Sequence, residues 1–253
     1  MKLNKIALLA ILAAQLGWAD VTANLDAKAV QKIVHDYLVQ NPEVLIEASQ
    51  ALQAKQQSQM QVQASNYIQL NAQKLIDEKI AVVGAPKANV TMIEFFDYQC
   101  GHCSKMNPII KDLIKDNANL KVVYREFPIF GNTSAMASKA ALAAGMQGKY
   151  AEMQQALFGL KKIDEKALLE LAKTQGLDLS KFQTDMKGQT VADILANNRK
   201  LAESMKLFGT PVFIILSTPN GEVTANLKPT LIPGSTTKDK LDQLIKSAAA
   251  ETK

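Results

Sequence analysis

Cysteine, histidine and tryptophan are scarce in this chain of 253 residues, which has two, two and one of them, with only eight prolines and twelve glycines. Two cysteines cannot build a disulfide-stapled miniprotein, and a chain this long buries enough surface to fold without staples. So little glycine and proline excludes collagen-like and low-complexity architectures, and 47% apolar with 21% charged residues excludes disorder. The net charge of +5 is small and evenly mixed with acids, so no nucleic-acid partner is called for. What remains is a folded protein of one large domain, or a domain with an appendage.

The first nineteen residues differ from the rest. Lys2 and Lys5 precede the apolar run Ile6 to Leu16, and the small residues Gly17 and Ala19 precede Asp20, the pattern of a secretory signal peptide covering residues 1–19. The run is shorter than the roughly 20 residues that span a bilayer, and no cysteine lies at the cut to take a lipid. Cleavage removes Trp18, so the exported protein is expected to lack tryptophan.

Residues 20–79 read as a helical N-terminal region. Asp26 is positioned to cap a helix whose Val30, Ile33, Val34, Tyr37 and Leu38 fall at spacings of three and four, forming one apolar stripe. Asn41-Pro42 restarts the chain as a second helix, with nine glutamines among the 24 residues from Gln50 to Gln73. Its apolar positions are too sparse for a buried helix. It is therefore expected to stand out as an arm, with the first stripe joining two chains in a homodimer; the alternative is that both helices fold back onto the main domain.

From about residue 80 the texture becomes α/β. Ile80–Val83, Val90–Phe96, Leu120–Phe127, Pro211–Leu216 and Glu222–Leu227 read as strands, and Val90–Phe96 is apolar enough to be covered on both faces. Helical patterns cover Cys103 to Asp116, a long block from about 134 to 207, and Thr237 to Ala249.

Both cysteines stand in Cys100-Gly101-His102-Cys103, after a strand and at a helix start. A zinc site needs two more ligands, and the histidines are His35, far away in the N-terminal region, and His102, held between the cysteines; no metal or other cofactor is called for. A structural disulfide closing so short a loop would contribute only about 2 kcal/mol. The third reading is redox chemistry, and position favours it. Free N–H groups and the positive end of the helix dipole stabilise a thiolate at Cys100, and a protonated His102 would add to this. Cys103, one turn inward, is the resolving thiol.

FFDYQCGHC after an apolar strand, the long helical block, Gly209-Thr210-Pro211 before another strand, and Leu231-Ile232-Pro233-Gly234 before the closing helix together resemble the DsbA-like branch of the thioredoxin superfamily, over about residues 80–250. The resemblance implies a thioredoxin fold with an inserted helical domain, a redox-active Cys100–Cys103 disulfide, and a cis Pro211 that exposes the Thr210 backbone to substrate. It also implies a buried acid, Glu94, relaying protons to Cys103. Gly-His between the cysteines resembles eukaryotic protein disulfide isomerases, and threonine before the proline resembles bacterial isomerases. With the N-terminal region, the chain resembles dimeric DsbA-like proteins that both oxidise and isomerise. The expected protein is a periplasmic thiol-disulfide oxidoreductase with cysteine-containing exported proteins as substrates and a membrane redox partner, attachment to the outer membrane being left open. The alternative is an envelope chaperone or Cu(I)-binding interaction protein in which the dithiol is secondary.

Overall fold

The structure, a computed structural model, describes residues 26–251 other than Asn226. The signal-peptide reading, Trp18 included, lies outside the described residues. The chain divides into two compact units that meet between Ala54 and Lys55.

The first unit holds α1 (Ala27–Gln40) and the start of α2 (Glu43–Ile76). Asp26 caps α1, its carboxylate accepting the Lys28 N–H at 3.2 Å. Asn41 closes the helix: its backbone and side-chain N–H groups both donate to the Tyr37 carbonyl, at 2.8 and 2.9 Å. The anticipated stripe is present and open to solvent, with Ile33, Val34 and Tyr37 each more than half exposed.

The second unit is built on a five-stranded sheet of order β1-β3-β2-β4-β5. Its strands are β1 (Val82–Gly84), β2 (Val90–Phe96), β3 (Leu120–Glu126), β4 (Val212–Ser217) and β5 (Thr230–Pro233). β2 runs parallel to β3, and the other pairings are antiparallel. Gly84 has φ +102°, and a Cβ there would collide with the Leu120 carbonyl oxygen, so the sheet edge needs glycine at this point.

Because strand side chains alternate, the central strands supply two cores. Met92, Phe96, Val122, Tyr124, Phe213 and Ile215 face one core, with α3 (Gly101–Asp116), α9 (Lys238–Ala250) and the helical insertion. That insertion comprises α4 (Asn132–Gly145), α5 (Tyr150–Gly159), α6 (Glu165–Thr174), α7 (Leu179–Met186) and α8 (Gln189–Ser204). Ile93, Phe95, Val123, Val212, Ile214 and Leu216 face the other core.

Two expectations need correction. The end of α2, read as too polar for a core, is part of one: Ala64, Ile68, Ala72, Leu75 and Ile76 are buried against the second sheet face with Leu201 and Met205. Ala64 and Ala72, on either side of Ile68 at four-residue spacing, let the helix approach the sheet closely, so a stripe that looked too thin in large residues suffices. Asn71 leaves helical dihedrals (φ −127°, ψ 17°) within this stretch, and its amide donates to the Tyr67 carbonyl.

The second correction concerns Glu222–Leu227, of which the described residues form no strand. A 3-10 turn at Pro219–Gly221 ends β4, and the sheet edge there is instead taken by Thr230–Pro233, paired from Ile215↔Thr230 to Val212↔Pro233. Leu227 is anchored by burial, and its carbonyl accepts from the Gln69 amide rather than from a neighbouring strand.

Candidate functional site

Cys100 is the N-cap residue of α3, its extended backbone (φ −81°, ψ 112°) turning Sγ back over the first helical turn. The Cys103 N–H donates to Cys100 Sγ at 3.4 Å, a sulfur occupying the place a serine or aspartate oxygen takes in an ordinary cap. Burial opposes the Cys100 thiolate. The Thr210 side chain and the N–H groups of Cys103 and His102 outweigh it, and the thiol titrates below its ordinary range. Cys103 is fully buried; desolvation drives its thiol far up, and the charge of Glu94 adds to this. Helix geometry thus makes two chemically identical residues into a stabilised thiolate and a thiol that resists losing its proton.

The Thr210-Pro211 peptide bond is cis, and the Thr210 carbonyl accepts from Cys100 Sγ at 3.3 Å, so the two segments implied by the resemblance do meet. The Thr210 hydroxyl is buried beside the Cys100 sulfur. Beside Pro211 a cavity of about 290 Å³ is lined by Gln61, Ala64, Leu207, Thr210 and Leu231, among others. Phe208, 83% exposed, lies on its wall. A second cavity, of about 380 Å³, lies within the helical insertion and includes neither cysteine.

His102 is exposed and its Nδ1 lies 2.9 Å from the Ser235 hydroxyl, after β5. The hydrogen bond this residue gives the Cys100 thiolate comes from its backbone rather than its ring. Glu94 sits in mid-strand and is buried. Desolvation raises its pKa well above the ordinary carboxyl value, with the charges of Glu126 and Cys100 adding to the effect. Arg125, close to Glu94 in strand order, is no partner for it. Register pairs Glu94 with Tyr124, and Arg125 projects to the other sheet face, where it meets Glu78.

Several neighbours were not singled out from sequence. Asp97 is fully buried; Oδ1 accepts from the Gln99 N–H and the Ser134 hydroxyl, both at 2.7 Å, and Oδ2 from the N–H groups of Ile129 and Phe130 at 2.7 and 3.1 Å. One carboxylate therefore ties the loop carrying Cys100 to the loop after β3. Glu126, also fully buried, receives the hydroxyls of Tyr98 and Tyr150 at 2.9 and 2.7 Å. The presence of Asp97 and Tyr98 inside FFDYQC was a usable signal. Glu126 and Tyr150 left none, since only folding brings them to the site.

A low-pKa thiolate on a helix start, a buried second thiol, a buried acid and a cis proline define the dithiol class of the thioredoxin fold. Residues 91–246 match the model of the DSBA-like thioredoxin domain, and residues 26–59 match that of the copper resistance protein ScsC N-terminal domain. The chain belongs to the DsbA-like thioredoxin family. The chain is 29% identical over 137 residues to the Na(+)/H(+) antiporter NhaA 3 of Salinispora tropica, covering 53% of this chain and 21% of that protein. It is 26% identical over 132 residues to the thiol:disulfide interchange protein DsbA of Bordetella pertussis, covering 50% of this chain and 63% of the relative. The chain thus spans under two thirds of both relatives. Among solved structures, BcfH of Salmonella enterica Typhimurium superposes with a TM-score of 0.71 at 31% identity, over 88% of this chain and 95% of that one.

Proposed function

We propose that the chain is a periplasmic thiol-disulfide oxidoreductase that oxidises, and also isomerises, disulfides of exported proteins. The observation that carries this reading is Cys100 Sγ at the N-terminus of α3, held between the Cys103 N–H and the Thr210 carbonyl beside cis Pro211. In oxidation, a substrate thiolate attacks Sγ of Cys100 in the Cys100–Cys103 disulfide. A mixed disulfide forms, and Cys103 leaves with the electron pair and takes a proton from Glu94. A second substrate thiol then attacks the substrate sulfur of the mixed disulfide; the substrate disulfide forms and Cys100 leaves as its stabilised thiolate. In isomerisation the reduced Cys100 thiolate attacks a substrate disulfide, and Cys103 releases a trapped substrate. Thr210 presents backbone for pairing with an extended substrate, and the cavity beside Pro211 offers apolar surface for its side chains.

Oxidised protein should form disulfides in reduced ribonuclease, and reduced protein should recover activity from scrambled ribonuclease. Cys100→Ser should abolish both, and a Cys100→Ser protein that recovers scrambled ribonuclease at the normal rate refutes the reading. The thiol state in cells then divides the roles: mostly disulfide marks an oxidase, mostly dithiol an isomerase.

The exposed stripe of α1 supports self-association, with the homodimer as its simplest closed form and molar mass as the test. The leader reading supports export, and a membrane redox partner would re-oxidise or re-reduce the dithiol. Among the described residues no helix is long and apolar enough to cross a membrane. The N-terminal match to a copper resistance protein favours one second reading, Cu(I) held by the two thiolates. Copper carried through purification by the native chain and lost on Cys100→Ser would support it.

A further inference from the structure

Glu126 is a buried carboxyl that the exchange reaction as described does not use. It lies at the end of β3 on the same sheet face as Glu94: register pairs Glu94 with Tyr124 and Phe96 with Glu126, and side chains two apart on a strand share a face. The two acids are therefore diagonal neighbours on adjacent strands, both enclosed in the core beneath α3. Such carboxyls cannot both ionise cheaply, since like charges in a dry interior repel strongly.

Their surroundings separate them. Glu126 Oε1 receives two short hydroxyl bonds, from Tyr98 and Tyr150, which stabilise a negative charge, while among the described residues no hydroxyl is bonded to the Glu94 carboxyl. We infer that Glu126 takes the first negative charge of the pair and thereby holds the proton on Glu94, making Glu126 a positioning residue for proton delivery to Cys103. The inference rests on the exchange reading of the dithiol.

The causes acting on the two carboxyls agree with the geometry. Burial raises Glu126 to about 8, with the hydroxyls of Tyr150, Ser138 and Tyr98 acting against that rise and Asp97 adding to it. Glu94 stands well above the ordinary value, and after burial the largest cause is the charge of Glu126. The other titratable groups facing the pair are Tyr124 from β3, and Cys100 and Cys103 at the start of α3.

The proton balance is closed. Substrate thiolate, the Cys100–Cys103 disulfide and protonated Glu94 give the substrate–Cys100 mixed disulfide, the Cys103 thiol and the Glu94 carboxylate. The substrate sulfur is oxidised and the Cys103 sulfur reduced. When a second substrate thiol displaces Cys100, the proton of that thiol returns to Glu94.

The test is the rate at which a fluorescent cysteine peptide opens the disulfide of the full chain, measured by stopped flow from pH 5 to 10 and expressed per peptide thiolate. In the native chain this rate falls only at the high pH where Glu94 loses its proton. Glu126→Gln, which keeps an oxygen to accept from the tyrosines, should move that fall down by a pH unit or more. Tyr150→Phe, which weakens the charge on Glu126, should move it the same way and serves if the glutamine variant does not fold. Glu94→Gln should be slow at every pH and show no fall. A fall that stays within about 0.3 unit in Glu126→Gln and Tyr150→Phe overturns the inference while leaving the exchange reading intact. No reaction of the native chain with the peptide overturns that reading itself.

Discussion

Replacing Arg125 by methionine tests how the end of α2 is held to the sheet. The guanidinium is 1% exposed; Nη1 donates to Glu78 Oε2 at 3.3 Å and to the Asn198 side chain at 3.1 Å. Nη2 reaches the carbonyls of Lys74, Leu75 and Asp77 at 2.9, 2.8 and 3.4 Å. A helix leaves its last carbonyls without intrahelical partners, and here a strand side chain satisfies them. Methionine fills similar volume with no donor, so the carbonyls and the buried Glu78 carboxylate lose their partner together. Breaking a buried pair costs about 3–5 kcal/mol, and each orphaned polar group about 1–3 kcal/mol, terms that overlap. A loss of about 3–5 kcal/mol is expected. Glu78→Gln should cost less, because Glu78 Oε1 also accepts from the N–H groups of Lys79 and Ile80, at 2.9 Å each, and an amide oxygen preserves those bonds. Urea unfolding followed by circular dichroism measures both. A loss below about 1 kcal/mol for Arg125→Met, or a larger loss for Glu78→Gln, would refute the assignment of Arg125 as the clamp.

Three further outcomes are expected. Asp97→Ala removes the acceptor for four donors and should lower stability by at least about 2 kcal/mol in urea unfolding, while changing the alkylation rate of Cys100 in the reduced protein. In the reduced protein, the Cys100 pKa is lower folded than unfolded, so its contribution to stability is full above the ordinary thiol value of 9.0 and disappears as pH falls through the lowered folded value; comparison with Cys100→Ala across that window should show the difference shrinking toward acid, and a constant difference would contradict it. Ile33→Lys combined with Tyr37→Lys places charge on the exposed stripe of α1 and should reduce the molar mass measured by light scattering, with the unfolding midpoint of the second unit unchanged.

Legibility from sequence followed the range of the interactions. Asp26 and Thr237 cap helices as local chemistry dictates, and β2 is found at its expected residues because an unbroken apolar run has few alternatives. Glu222–Leu227 misled because alternation signals a strand only where a sheet edge is free, and Thr230–Pro233 occupies that edge. Ala64 and Ala72 misled because a small side chain is apolar enough to pack yet too common on surfaces to announce it.

By itself the sequence determined where the two thiols stand: Cys100 and Cys103 are three residues apart at a helix start, and the N–H groups that favour one thiolate belong to that same helix. Only the tertiary structure decided the rest of the chemistry. The position of Thr210 at 3.3 Å, the isolation of Glu94 from Arg125 and the pairing of Glu126 with two tyrosines depend on strand register and on a helical insertion packed across the sheet. The reason is physical: a helix terminus carries its electrostatics within one turn of chain, whereas desolvation of a carboxyl is a property of everything packed around it.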